Sequence, residues 1–132
     1  MLRSAAAVIA GYFVMVLAVF ALFKLWRVDV AIGPSSPGFM ALSVAYGFVA
    51  AVAGGYVTAL VARRAPLQHA GALTVIGLIL SSINLHASWG TETFLYQLTF
   101  SIFPAAGVLL GGYLRAQRLV PALHGLSRRD WR

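Results

Sequence analysis

Four long apolar stretches, divided by short polar or proline-containing segments, make up most of the chain. The best defined runs from Phe39 to Ala62, carries no charged residue and ends at Arg63-Arg64. A helix over it is about 36 Å long, enough to cross a hydrocarbon core of about 30 Å with some tilt. Ser43, Gly47, Ala51, Gly55 and Ala59 recur along it at every fourth position. Such a stripe lets another helix approach backbone to backbone, the usual basis of helix association where lipid removes the hydrophobic drive.

The other three stretches read the same way. Ala5 to Phe23 is apolar and ends in Phe-Lys-Leu-Trp-Arg, without the small-residue cleavage site of a secretory signal, so it reads as a first span. Ser4, Ala7, Gly11, Ala18 and Ala21 give it a weaker small-residue seam. A third span runs from Gln68 or His69 to Leu85 or His86, with Ala70, Thr74, Gly77, Ser81 and Asn84 in a heptad, as in a left-handed crossing. The fourth runs from about Thr93 to Leu114 and holds Gln97, Thr99, Ser101 and Pro104, followed by the small pair Gly107 and Gly111. Pro104 removes the hydrogen bond to the Phe100 carbonyl and predicts a kink there.

Between them lie Arg27 to Gly38, where Pro34 and Pro37 stop a helix and Val28 to Ile32 forms an interfacial or extended piece, the tight linker around Pro66, and the turn Ala87 to Glu92. The short linker makes spans two and three antiparallel neighbours. The expected fold is therefore all-α: a four-transmembrane-helix bundle of two antiparallel hairpins, with spans at about 5–25, 39–62, 69–86 and 93–114. These form a membrane domain over 1–115, followed by a basic cytoplasmic tail, 116–132, that lies on the membrane surface or is solvated. Gly-Gly-Tyr occurs at Gly54–Tyr56 and again at Gly111–Tyr113, an echo compatible with two hairpins related by an axis normal to the membrane.

Composition sharpens this picture. The 132 residues are 61% hydrophobic and only 10% charged, whereas a soluble domain carries about a quarter charged residues. The net charge of +7 comes from Lys and Arg at the ends of apolar runs, so it reads as a topology signal and not as a nucleic-acid footprint. With four spans, Arg3, Arg63, Arg64, Arg115, Arg118, Arg128, Arg129 and Arg132 fall on one side, and only Lys24 and Arg27 on the other. The positive-inside rule then puts both termini in the cytoplasm. Arg63, Arg64, Arg115 and Arg118 are the expected topology anchors and contacts to anionic lipid. There is no cysteine, which excludes disulfides, thiolate metal sites and cysteine nucleophiles.

Tyr46, the run Gly54-Gly55-Tyr56-Val57-Thr58-Ala59, His69-Ala70, Tyr96-Gln97 and the closing segment Gly107 to Arg115 together resemble a group of small, uncharacterised four-span bacterial membrane proteins, over roughly residues 38–115. The resemblance implies a bacterial inner (plasma) membrane location and names no chemistry.

Polar groups within spans are the candidates for chemistry. Tyr46, Asn84, His86, Glu92, Gln97 and Ser101 form the candidate polar set, with Lys24 and Tyr96 as possible neighbours. Either they relay protons or hold a cation, or Asn84 and Gln97 hydrogen-bond across two helices and fix their register. One His and one Glu are too few for a zinc site in a single chain. Ser81 or Ser82 with His86 has a suggestive spacing, but no Asp or oxyanion donor accompanies it, so no enzyme is expected. No cofactor is expected either.

Gly47, Ala51, Gly54, Gly55, Gly107 and Gly111 are the expected packing positions. Two functions remain open. The first is a non-enzymatic association module, a homo-oligomer or an accessory subunit partnered by itself or another membrane protein, because the small-residue seams exceed what four helices need internally. The alternative is a small-solute or ion transporter or channel, with a polar path between helices three and four.

Overall fold

The computed structural model describes the backbone of residues 2–26, 37–62, 65–87 and 94–127, and the side chains of 4–25, 37–62, 65–86, 94–95 and 97–118. Four helices account for all of it except Ala65: α1 (Leu2–Trp26), α2 (Pro37–Ala62), α3 (Pro66–Ala87) and α4 (Phe94–Ser127). No strand occurs among the described residues. The protein is an all-α four-helix bundle, and each helix is long and apolar enough to cross a membrane.

Proline opens two of these helices. Pro37 and Pro66 each occupy the first helical position, where the missing N–H has no intrahelical partner to lose. Ala65, just before α3, is left-handed at φ 49°. Its carbonyl accepts from the Gln68 and His69 amides at 3.1 and 3.4 Å, and the His69 ring nitrogen Nδ1 lies 3.0 Å from the same oxygen.

At the other end of the chain, α4 does not stop at Leu114. It runs through Pro104 and Pro121 to Ser127, 34 residues in all, about 51 Å. Tyr113 to Val120 contains no glycine or proline and is rich in Leu, Arg, Ala and Gln, so nothing there ends a helix. The extended or interfacial piece expected at Val28 to Ile32, and the turn holding Glu92, lie outside the described residues.

Residue size, not polarity, divides inside from outside. Ile9, Phe13, Leu17 and Phe20 form one exposed face of α1, while Ala7 and Gly11 are buried on the other. On α2 the whole stripe Ser43, Gly47, Ala51, Gly55, Ala59 is buried within the chain.

Its main partner is α4, which runs parallel to it. Gly47 faces Phe100, Phe48 stacks edge-on against Phe103 at 6.4 Å, Gly107 meets Phe48 and Ala51, and Gly111 meets Val52 and Tyr56. α1 lies antiparallel on α2, from Gly11 against Thr58 to Phe23 against Phe39. α3 lies antiparallel on α4, and its contact with α2 is much lighter than that between α2 and α4. The order around the bundle is α1, α2, α4, α3, and the α1–α3 side is the weakest.

This order explains the paired glycines. Successive helix positions are turned by about 100°, so two adjacent glycines serve two neighbours. A Cβ on Gly54 would lie 2.6 Å from Met15 Cγ of α1, whereas one on Gly55 would strike the Val108 backbone of α4. Gly111 likewise meets α2 and Gly112 meets Ala70 of α3. The echo is thus one packing solution used twice. It does not make the hairpins twofold partners, because such an axis would set α1 and α3 on opposite sides of the α2–α4 pair. They lie on the same side and touch where Gly11 meets Leu73.

Candidate functional site

The heptad stripe of α3 packs over only half its length. Ala70 and Thr74 are buried, with Ala70 pressed on Gly112. Further along, a Cβ on Gly77 would meet nothing within 4 Å, Ser81 is half-buried and Asn84 is exposed. α4 meets α3 closely at Gly112, and at the level of Phe100 and Pro104 a cavity lies between the two helices.

The gap is a cavity of about 340 Å³. Gly47 and Ala50 of α2 and the Gln97–Val108 stretch of α4 form its back wall. Met15 and Val19 of α1 and Leu73, Gly77 and Ser81 of α3 form its sides. Leu73 and Val108, 1% and 2% exposed, close it toward the end of the bundle that carries Arg115 and Arg118. Tyr12, Leu78, Leu80 and Asn84 also line it yet are exposed, so it opens between α1 and α3 onto the surroundings of the bundle.

Of the candidate polar set, Asn84, Gln97 and Ser101 share this cavity. Gln97 is buried, 6% exposed, one turn into α4. Ser101 donates its hydroxyl to the Gln97 carbonyl at 2.8 Å. Tyr46 does not line the cavity although Gly47 does: one residue turns it away. His86 is exposed at the end of α3, also outside the lining. Glu92 and the side chain of Tyr96 lie outside the described residues, as do Arg63 and Arg64. Tyr12 and Met15 join the site from α1, a contribution that spacing within one helix cannot reveal.

Most hydroxyls are held by their own helices. Thr58 donates to Gly54 at 3.0 Å, Thr74 to Ala70 at 2.9 Å, and Thr99 to Leu95 at 2.6 Å. Ser82 donates to the Leu78 carbonyl at 2.8 Å and is exposed. No group of three or more His, Asp or Glu able to hold a metal occurs among the described residues. At the arginine end the Arg118 guanidinium lies 5.9 Å from the Tyr56 ring centroid, Gln117 donates to the Tyr113 hydroxyl at 2.7 Å, and Arg115 Nε is buried without an acceptor among the described residues.

The chain matches no protein-family model, no curated protein and no solved structure.

Proposed function

We propose that this chain is a non-enzymatic integral membrane protein that takes a small molecule into the cleft between α1 and α3 and acts as a small carrier. The observation that carries the reading is the convergence of Asn84, Gln97 and Ser101 from two helices on one open cavity. Ligand sites are few, concave, mostly apolar and fixed by a few polar groups, and this cavity has that makeup. In this reading the protein sits in a bacterial inner membrane with both termini cytoplasmic, in keeping with the arginine distribution and the family resemblance. It needs no cofactor and no nucleic acid. Because Leu73 and Val108 close the inner end, carriage requires α3 to swing against α4 and is not conduction through a standing pore.

A second reading, an association module joined to its own kind or to another membrane protein, is favoured by α3. It is the least buried of the four spans, and Gly71 offers open space outside the cleft. The seam on α2 no longer argues for it, because α4 and α1 occupy that seam within the chain.

One experiment addresses both readings: purification in native lipid discs, then mass measurement of whatever travels with the chain. A Cβ at Gly77 meets nothing within 4 Å and Gly77 lines the cleft, so Gly77→Phe puts a ring into it. A small molecule bound to the wild type and absent from Gly77→Phe supports the carrier. Equal amounts on both, or none on either, count against it, and a stoichiometric second protein chain supports association.

A further inference from the structure

We infer that Arg115 and Arg118 of α4 form a binding site for a phosphate group of net negative charge, supplied by the headgroup of an anionic membrane lipid. Leu73 and Val108 stand between this site and the cleft, so it does not depend on the carrier reading.

At this level α4 touches both of its neighbours. Gly111 lies against Val52 and Tyr56 of α2, and Gly112 against Ala70 and Pro66 of α3. Arg115 follows Gly111 by four residues and Gly112 by three, so it stands on the helix face that those two contacts share. It is half-buried there, and its Nε is enclosed without an acceptor among the described residues. An enclosed charged donor left unpaired is more costly than a neutral one. The chain has little to offer it. Of the three acidic residues, Asp29 and Glu92 belong to the connections at the opposite end of the bundle, and Asp130 stands in sequence between Arg128-Arg129 and Arg132. The acceptor therefore comes from outside the chain.

Arg118 lies three residues further on, a helix-surface neighbour of Arg115. Its guanidinium is 5.9 Å from the Tyr56 ring centroid, a contact that holds the cation in place. A guanidinium fork, Nε–H with Nη–H, matches the paired oxygens of a phosphate. Depth then selects the source. The apolar part of α4, Gln97–Arg118, has 22 residues and is about 33 Å long, against a hydrocarbon core of about 30 Å. Both arginines fall at headgroup level, where basic pockets between spanning helices take anionic lipids. A zwitterionic headgroup brings its own cation, which the two arginines repel.

The test is native mass spectrometry of the full chain in detergent, titrated with phosphatidylglycerol, phosphatidylcholine or inorganic phosphate. One phosphatidylglycerol should bind at least about tenfold more tightly than phosphatidylcholine. Arg115→Gln should weaken it by at least about tenfold, the loss expected for one hydrogen bond to a charged group. Arg115→Lys keeps the charge and the topology signal but removes the fork, and should weaken binding by a similar factor. Arg128→Gln removes the same charge from the tail and should leave binding unchanged. Circular dichroism and elution volume unchanged from wild type show that a variant is folded, and Arg115→Lys carries the test if Arg115→Gln is not. Equal weakening by Arg115→Gln and Arg128→Gln, full binding by Arg115→Lys, or no preference for phosphatidylglycerol overturns the site. Displacement of the lipid by an equimolar amount of inorganic phosphate overturns the lipid source and keeps phosphate as the ligand.

Discussion

The same substitution, Gly→Ala, should have opposite effects at two positions. At Gly55 the new methyl would fall on the Val108 carbonyl oxygen, with the Val108 carbonyl carbon and Cα each only 2.8 Å away. Carbon atoms rest at about 3.5–4.0 Å, so α2 and α4 must separate by roughly 1 Å. The obstacle is backbone and has no rotamer to change. A gap of 0.5–1 Å forfeits about a quarter to a half of each contact along the seam, and overpacking of this kind costs about 1–3 kcal/mol. Alanine's better helix propensity returns about 0.5–1 kcal/mol, so we expect a net loss of about 1 kcal/mol, up to about 2.5 kcal/mol if the seam does not relax. At Gly77 nothing lies within 4 Å of the added methyl, so only the propensity gain remains, about 0.5–1 kcal/mol of stabilisation. The assay is reversible unfolding by steric trapping in lipid discs, both variants in parallel. Equal effects at the two sites, or a stabilised Gly55→Ala, would refute the close α2–α4 crossing.

Gly112→Ala should destabilise by about 1–3 kcal/mol, since its methyl meets the Ala70 methyl. Adding Ala70→Gly should recover part of that, and a double-mutant cycle reads the coupling. Ala65→Gly should stabilise by about 0.5–1 kcal/mol: relief of a left-handed alanine gains about 1–2 kcal/mol, and the extra freedom of glycine in the unfolded chain offsets part of it. Thermal unfolding in detergent would show a raised midpoint, and a lowered one would contradict the strain. Trypsin added to sealed, right-side-out vesicles should leave the arginine-rich C-terminal segment uncut, and cleavage there would reverse the proposed orientation.

Much of the fold is visible in the chain before any coordinates. Four uncharged stretches of spanning length can only be helices in lipid, since every backbone group must be satisfied within its own segment. What spacing cannot supply is the neighbour. The fourfold recurrence from Ser43 to Ala59 marks a face of α2, but whether α4 or a second copy covers that face depends on how the helices are ordered in space. The α3 heptad shows the same limit: Ala70 and Gly77 look equivalent in sequence, yet only Ala70 has a glycine opposite it. Tyr46 and Gly47 adjoin in the chain and face different ways. The length of α4 was hidden by its charges, which read as a tail although Leu, Ala, Gln and Arg all favour helix. The cleft is lined from α1, α2, α3 and α4 together, with Gly77 leaving open space on α3, a combination that no single-helix pattern expresses.

The central claim is that the glycine and alanine seams of α2 and α4 meet each other within one chain. A Cβ at position 107 would lie 3.0 Å from that of Ala51 and 2.9 Å from the Phe48 carbonyl oxygen, so α2 and α4 must ease apart by about 0.5 Å to reach the 3.5–4.5 Å spanned by a disulfide. The chain has no cysteine of its own, so Ala51→Cys with Gly107→Cys gives a single possible bridge. Oxidised in vesicles at high lipid dilution, the double variant should form that bridge within the monomer. Bridging only between chains, or no bridge at all, would contradict the account.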